Sequence, residues 1–137
     1  MASLIYNRFL ANLMNKEVDL EADVIKVALM DNVHSPLATD NEWADVSANE
    51  VVGTGYVAGG QALAGKAVTQ GATTKWDATD LTWSNVTFSA YHAVIYDDTT
   101  AGDDLIASID FGGEQAISDG IFTIAWASEG IITLAEV

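Results

Sequence analysis

The chain has no cysteine. It therefore has no thiol chemistry, no disulfide framework and no Cys-ligated zinc. Proline occurs once, at Pro36, and histidine twice, at His34 and His92, neither of them with a second ligand at metal-binding spacing. Cations are scarce: five Lys and Arg stand against 20 Asp and Glu, a formal net charge of −15. Such a chain repels nucleic acid, whose binding depends on cations that displace phosphate counterions, and an anionic membrane surface repels it in the same way. No apolar run approaches the ~20 residues of a membrane span. Asn7, Arg8 and Asn12 interrupt the apolar residues near the amino terminus, where a secretory signal has an unbroken core. Gly-x-Ser-x-Gly elbows, phosphate loops and dinucleotide fingerprints are all missing. Gly53-Thr-Gly55 followed by Gly59-Gly60 is not a Rossmann turn, because no helical pattern starts there.

What is present suits one domain: 137 residues, 50% of them hydrophobic, enough to bury a core without disulfide or metal. Twenty-one residues are Ala, so the core must lean on the larger aliphatics and the 12 aromatics. A core of this kind gains from self-association, and a homo-oligomer is the expected state. Charge is unevenly spread. Residues 1–16 hold Arg8 and Lys16 and no acid, and the other 121 hold Lys26, Lys66, Lys75 and all 20 acids. The amino-terminal segment is thus the expected point of approach for an acidic partner.

Within segment 1–16, residues 4–16 read as an amphipathic helix. Ile5, Tyr6, Phe9, Leu10, Leu13 and Met14 share one half of the wheel, Asn7, Arg8, Asn12 and Asn15 the other, and Ser3 is placed to cap the first turn. So short a helix must dock its apolar face, either on its own sheet or on a neighbouring subunit. The remainder, 23–137, reads as a mainly β domain. Val24-Ile-Lys-Val-Ala-Leu-Met30 is a strand closed by Asp31-Asn32. Residues 32–55 lose periodicity and read as a long surface loop with Trp43 as its one large apolar residue. Residues 53–73 suit short strands with tight bends. Residues 80–88 alternate apolar and polar, with a bulge expected at Asn85. Tyr91-His-Ala-Val-Ile-Tyr96 is apolar on both faces, as a central strand would be. Two hairpins close the chain, one over residues 93–110 with an acidic turn, one over 121–134 with Glu129-Gly130 as its turn. About eight short strands and one helix give a β-sandwich, with jelly-roll connections as one form of it.

The chemistry-bearing residues do not form a catalytic set. His34 lies in a polar loop and His92 in a strand, and both read as structural. Glycoside hydrolysis needs two acids at a fixed separation on a cleft, whereas Asp97, Asp98, Asp103 and Asp104 cluster in a turn, where Asp bonds its own backbone. The same turn offers oxygen ligands for calcium but lacks the spacing and terminal Glu of an EF-hand loop, so a solvated hairpin tip is expected. No catalytic residue, cofactor or metal ligand is assigned.

Several segments in order carry a resemblance: Val24-Ile-Lys-Val-Ala-Leu-Met-Asp31, Leu63-Ala-Gly-Lys-Ala-Val68, Asp77-Ala-Thr-Asp-Leu-Thr-Trp83, Ala93-Val-Ile-Tyr-Asp-Asp-Thr99, Leu105-Ile-Ala-Ser-Ile-Asp-Phe-Gly-Gly113 and Phe122-Thr-Ile-Ala-Trp126. Outside residues 32–55 the chain resembles small virion proteins of tailed bacteriophages. The resemblance implies a non-enzymatic structural component of the particle. Its leading form is a capsid decoration, or cement, protein bound to the major capsid protein and to itself, often as a trimer. Such a protein is assembled in the host cytoplasm and needs neither nucleic acid nor membrane. The expected contact surfaces are the helix face of Ile5, Phe9 and Leu13 and the loop around Trp43. The alternative is a head-fibre or tail-associated module that recognises a host-surface glycan, with Trp43 or Trp76 stacked on a sugar ring.

Overall fold

A computed structural model describing residues 3–136 shows a mainly β protein with antiparallel sheets and one short helix. Residues 1, 2 and 137, at the ends of the expected 1–16 and 23–137 segments, lie outside the described residues. The elements in chain order are β1 (Leu4–Ile5), α1 (Asn7–Met14), β2 (Ile25–Met30), β3 (Gln61–Ala62), β4 (Ala67–Thr69), β5 (Thr73–Asp77), β6 (Leu81–Asp97), β7 (Asp104–Ile124) and β8 (Ile132–Ala135). They form a five-stranded sheet in the order β1-β7-β6-β2-β3 and a three-stranded sheet in the order β4-β5-β8. As expected, the 32–55 segment holds no strand, only two 3₁₀ turns, Trp43–Asp45 and Ser47–Asn49.

The long β6–β7 hairpin is the scaffold, and its acidic turn falls where the sequence puts it. Residues 81–90 alternate: Leu81, Trp83, Val86, Phe88 and Ala90 are buried, and Thr82, Ser84, Asn85, Thr87 and Ser89 are exposed. Two polar residues in succession, Ser84 and Asn85, break the period. The strand absorbs the extra residue as a bulge between Trp83 and Val86, with Asn85 at φ 55°. Beyond Ala90 both faces are covered. Ala93 and Ile95 enter one apolar cluster together with Ile25, Val27, Leu29, Trp76 and Ile132. Val94 and Tyr96 enter a second with Ala28, Met30, Tyr6 and Leu105, beneath Val46 and Trp43 of the long loop. A strand covered on both faces needs apolar residues at both parities, which accounts for the unbroken run at 91–96. The loop is held to the sheet at three places, by Leu105 N–H donating to Asn41 O (2.9 Å), by Val51 N–H donating to Leu29 O (2.9 Å) and by Thr87 N–H donating to Thr54 O (3.0 Å).

Three expectations need correction. Residues 80–88 and 91–96 are one strand, because the bulge at Asn85 restores alternation instead of ending the pairing. The helix does not start at residue 4: Leu4 and Ile5 pair with Ser108 and Ala107 of β7. Pairing at the sheet edge satisfies backbone groups that a first helical turn leaves open. Ser3 consequently caps nothing, its Oγ accepting a bond from Asp110 N–H (2.9 Å), and Tyr6 occupies the N-cap with no side-chain cap. The last segment is not a hairpin. Gly130 does turn the chain, at φ 99°, but β8 pairs with β5 instead of β7. A Cβ on Gly130 would stand 2.9 Å from Trp76 O, so only glycine lets the chain pass close over β5. Ile132 is then buried in the same cluster as Trp76.

Candidate functional site

Helix α1 has eight residues and two working sides. At 100° per residue, Phe9 and Leu13 fall on one side and Arg8, Asn12 and Asn15 on another. Each side lines a different cavity.

Phe9 and Leu13 face an apolar groove of about 370 Å³ whose other walls are Val18, Leu20, Val68, Trp76, Ile132 and Leu134. The three-stranded sheet supplies one wall and the 18–20 segment closes another. Trp76 is buried in its floor, and the indole Nε1–H donates to Leu20 O (3.0 Å), which satisfies the one polar atom of that ring. Lys16 and Lys75 also line the groove. The Lys75 ammonium donates to Ser128 O (3.0 Å). Asp19 is the one acid there. Its Oδ1 accepts from the Glu21 and Ala22 amides (3.0 Å each), and those bonds hold its carboxyl below the usual carboxylate range. Val68 and Leu134 on the groove walls are exposed, and so are Leu10 and Met14 (90% exposed) elsewhere on the helix.

Arg8, Asn12 and Asn15 face a polar cleft of about 650 Å³ shared with Glu17, Asp23, Glu42, Asp104 and the 99–102 hairpin tip. Asn12 is buried, and its Nδ2–H donates to Asp104 Oδ2 (2.7 Å). Asp97, 1% exposed at the end of β6, accepts from Thr99 N–H (2.9 Å) through Oδ1, while its Oδ2 has no donor. Burial, and then the neighbouring Asp23 carboxyl, push the Asp97 carboxyl up to about 7. Asp98, at the exposed rim, pairs with Lys26 (3.3 Å). Among the described residues no group of three His, Asp or Glu side chains stands close enough to hold a metal ion. Three of the four acids of the hairpin turn instead have separate partners: Asp97 the Thr99 amide, Asp104 Asn12, and Asp98 Lys26.

The two histidines meet. His34 and His92 pack edge to face with centroids 5.0 Å apart, and His34 Nε2 lies 3.0 Å from Ser108 Oγ. That separation suits a nucleophile and its base. Yet Ser108 is 1% exposed and His34 3%, and neither lines the groove or the cleft, so no substrate atom can reach the hydroxyl from either cavity. Burial, then the neighbouring His92, hold His34 down to about 4, and burial lowers His92 as well. The pair is a packed, neutral element under the long loop. Ser108 is 74 residues from His34, and no spacing in the sequence announces their contact.

Comparison with family models, curated proteins and solved structures gave no match.

The expected contact residues are dispersed. Ile5 belongs to β1 and is exposed there, Phe9 is buried in the main cluster at the groove wall, and Leu13 lines the groove half-buried. Trp43 lies flat on Tyr96, with ring centroids 4.7 Å apart and planes 11° from parallel, so that face of the indole is taken. Trp76 is likewise buried. The residues missed by sequence reading are Val68, Ile132 and Leu134, which join Leu13 only through the β4-β5-β8 sheet. No described helix is long and apolar enough to cross a membrane.

Proposed function

We propose that this chain is a non-enzymatic virion protein, a capsid decoration protein of sandwich-like build that binds the outer head shell of a tailed phage as an oligomer. The single observation that carries the reading is the apolar groove beside α1, with exposed Val68 and Leu134 on its walls and exposed Leu10 and Met14 on the same helix, on a chain otherwise dominated by acid. Monomers that need no partner keep such apolar surface small and scattered. The resemblance to virion proteins adds the identity of the partner, the major capsid protein. Jelly-roll connections are not part of the proposal: β6 and β7 are sequence neighbours paired side by side, and β8 returns to β5.

Burial of apolar area supplies ~25 cal/mol per Å² before association costs of several kcal/mol are subtracted. Repetition over a lattice, or several subunits binding together, raises the effective affinity without new contacts. The glycan-binding alternative has less behind it, since Trp76 is buried and Trp43 is stacked on Tyr96.

The test is cosedimentation of purified protein with undecorated heads of the phage that encodes it. Wild type should pellet with the heads, and a Leu10→Asp/Met14→Asp variant, folded by circular dichroism, should stay in the supernatant. Wild-type protein that never pellets with heads rules the decoration reading out.

A further inference from the structure

We infer that the groove beside α1 takes an apolar anchor from a partner protein whose flanking residues are acidic. The inference rests on the reading of this chain as a binding protein, and it specifies what the partner must present.

Charge argues first. The chain carries −15 and only five Lys and Arg, and two of those five, Lys16 and Lys75, line this one groove. Asp19, the acid in the lining, spends its Oδ1 on the Glu21 and Ala22 amides, and Glu21, at the β4 edge, spends its Oε2 on the Val68 amide. Lys75 gives one hydrogen bond to Ser128 O and keeps two protons for a partner carboxylate. An acidic flank therefore meets attraction here and repulsion over most of the remaining surface.

Size argues second. A cavity of about 370 Å³ with Phe9, Leu13 and Trp76 in its walls suits one or two large side chains, the form that interface anchors take. Leu10 and Met14, exposed on the same helix, offer further apolar surface to a polypeptide longer than its anchor. Backbone argues third. The outward amide of Val68, on the edge strand β4, already donates to Glu21 Oε2 (3.0 Å). Strand addition is hindered at that edge, and a partner meets β4 through side chains.

The experiment uses two synthetic peptides with one Leu-Phe core, flanked by glutamates in one and by lysines in the other, titrated into the full chain by fluorescence anisotropy. The acidic peptide should bind at least tenfold more tightly at low salt, and the gap should narrow as salt rises. Lys16→Glu/Lys75→Glu should reverse the preference. Leu134→Asp, at an exposed position that leaves the core intact, should abolish binding of both. Equal binding of the two peptides, binding of neither, or indifference to Leu134→Asp overturns the inference. A change of oligomeric mass in Leu134→Asp by light scattering also overturns it, because the occupant is then a second copy. Head cosedimentation separates this from the decoration reading: wild type that binds the acidic peptide but not heads loses the decoration role and keeps the groove's specificity.

Discussion

Two cavities share helix α1 and are held together by different physics. On the groove side Phe9, Leu13, Trp76 and Ile132 meet by packing, with one polar atom, Trp76 Nε1, satisfied by Leu20 O. On the cleft side Asn12 meets Asp104 by a hydrogen bond, and Asp23 stands next to the buried Asp97 carboxyl that it helps to raise. An amphipathic helix ordinarily separates core from solvent. Here it separates two concave surfaces, and its amphipathy tells which one each residue serves. The groove should therefore respond to side-chain volume and the cleft to pH and donor loss.

The largest effect is expected on the groove side. Phe9 is 1% exposed and belongs to the main apolar cluster, so Phe9→Ala should cost about 3–5 kcal/mol in chemical denaturation. The cost should be the same at pH 5 and pH 8, since no buried acid or base lines that cavity. A pH-dependent loss would mean that the two sides of the helix are coupled, and the contrast would fail.

Acid sharpens the contrast. The native Asp97 carboxyl titrates near 7 against an unfolded value of 3.8, raised by burial and then by Asp23. Between those values the native state binds the extra proton, so this group's stabilisation is present in acid and is lost as pH rises toward 7. His34 works in the opposite direction. Its native value of about 4, set by burial and then by His92, lies below the unfolded 6.5, so its contribution falls away as pH drops from 6.5 toward 4. Removing one slope exposes the other. Asp97→Asn should make stability climb more steeply from pH 5 to pH 8, with the difference from wild type changing by on the order of 3 kcal/mol. Melting temperatures across that range decide it, and parallel curves for the two proteins would place Asp97 outside the titrating pair.

The third effect is smaller. Asn12→Ala leaves the buried Asp104 carboxylate without its 2.7 Å donor and should cost about 1–3 kcal/mol, read by denaturation at pH 7. A loss equal to that of Phe9→Ala would erase the ranking of packing above hydrogen bonding.

How much of this was legible in the sequence depended on range. The bulge at Asn85 was readable because Ser84 and Asn85 break a two-residue period within one strand. The acidic hairpin tip and the strandless 32–55 segment were readable from local turn chemistry and lost periodicity. Gly130 announced a turn correctly, but a turn fixes a reversal and not the strand that receives it, and β8 went to β5. The helix pattern was real over residues 7–14, yet the sheet edge drew Leu4 and Ile5 away from it. The groove was invisible because Leu13, Val68, Trp76 and Leu134 become neighbours only when the second sheet forms. The same holds for His34 and Ser108, whose contact no local pattern encodes.

The smallest effect is expected at a solvent-exposed ion pair. Lys26 and Asp98 stand 3.3 Å apart with side chains 31% and 35% exposed, a pair that solvent screens and that gains little over hydrated ions. Asp98 also adds to the negative field on Asp103, whose carboxyl is raised first by burial and next by that charge. Asp98→Asn thus removes a weak attraction and a weak repulsion together, on a chain whose net charge already opposes compaction. The expected change in unfolding free energy is within about 0.5 kcal/mol of zero, and smaller still in high salt. A loss above about 1 kcal/mol in denaturation at low salt would show that this exposed pair acts like a buried one, and the ranking of buried groups above solvated ones would have to be given up.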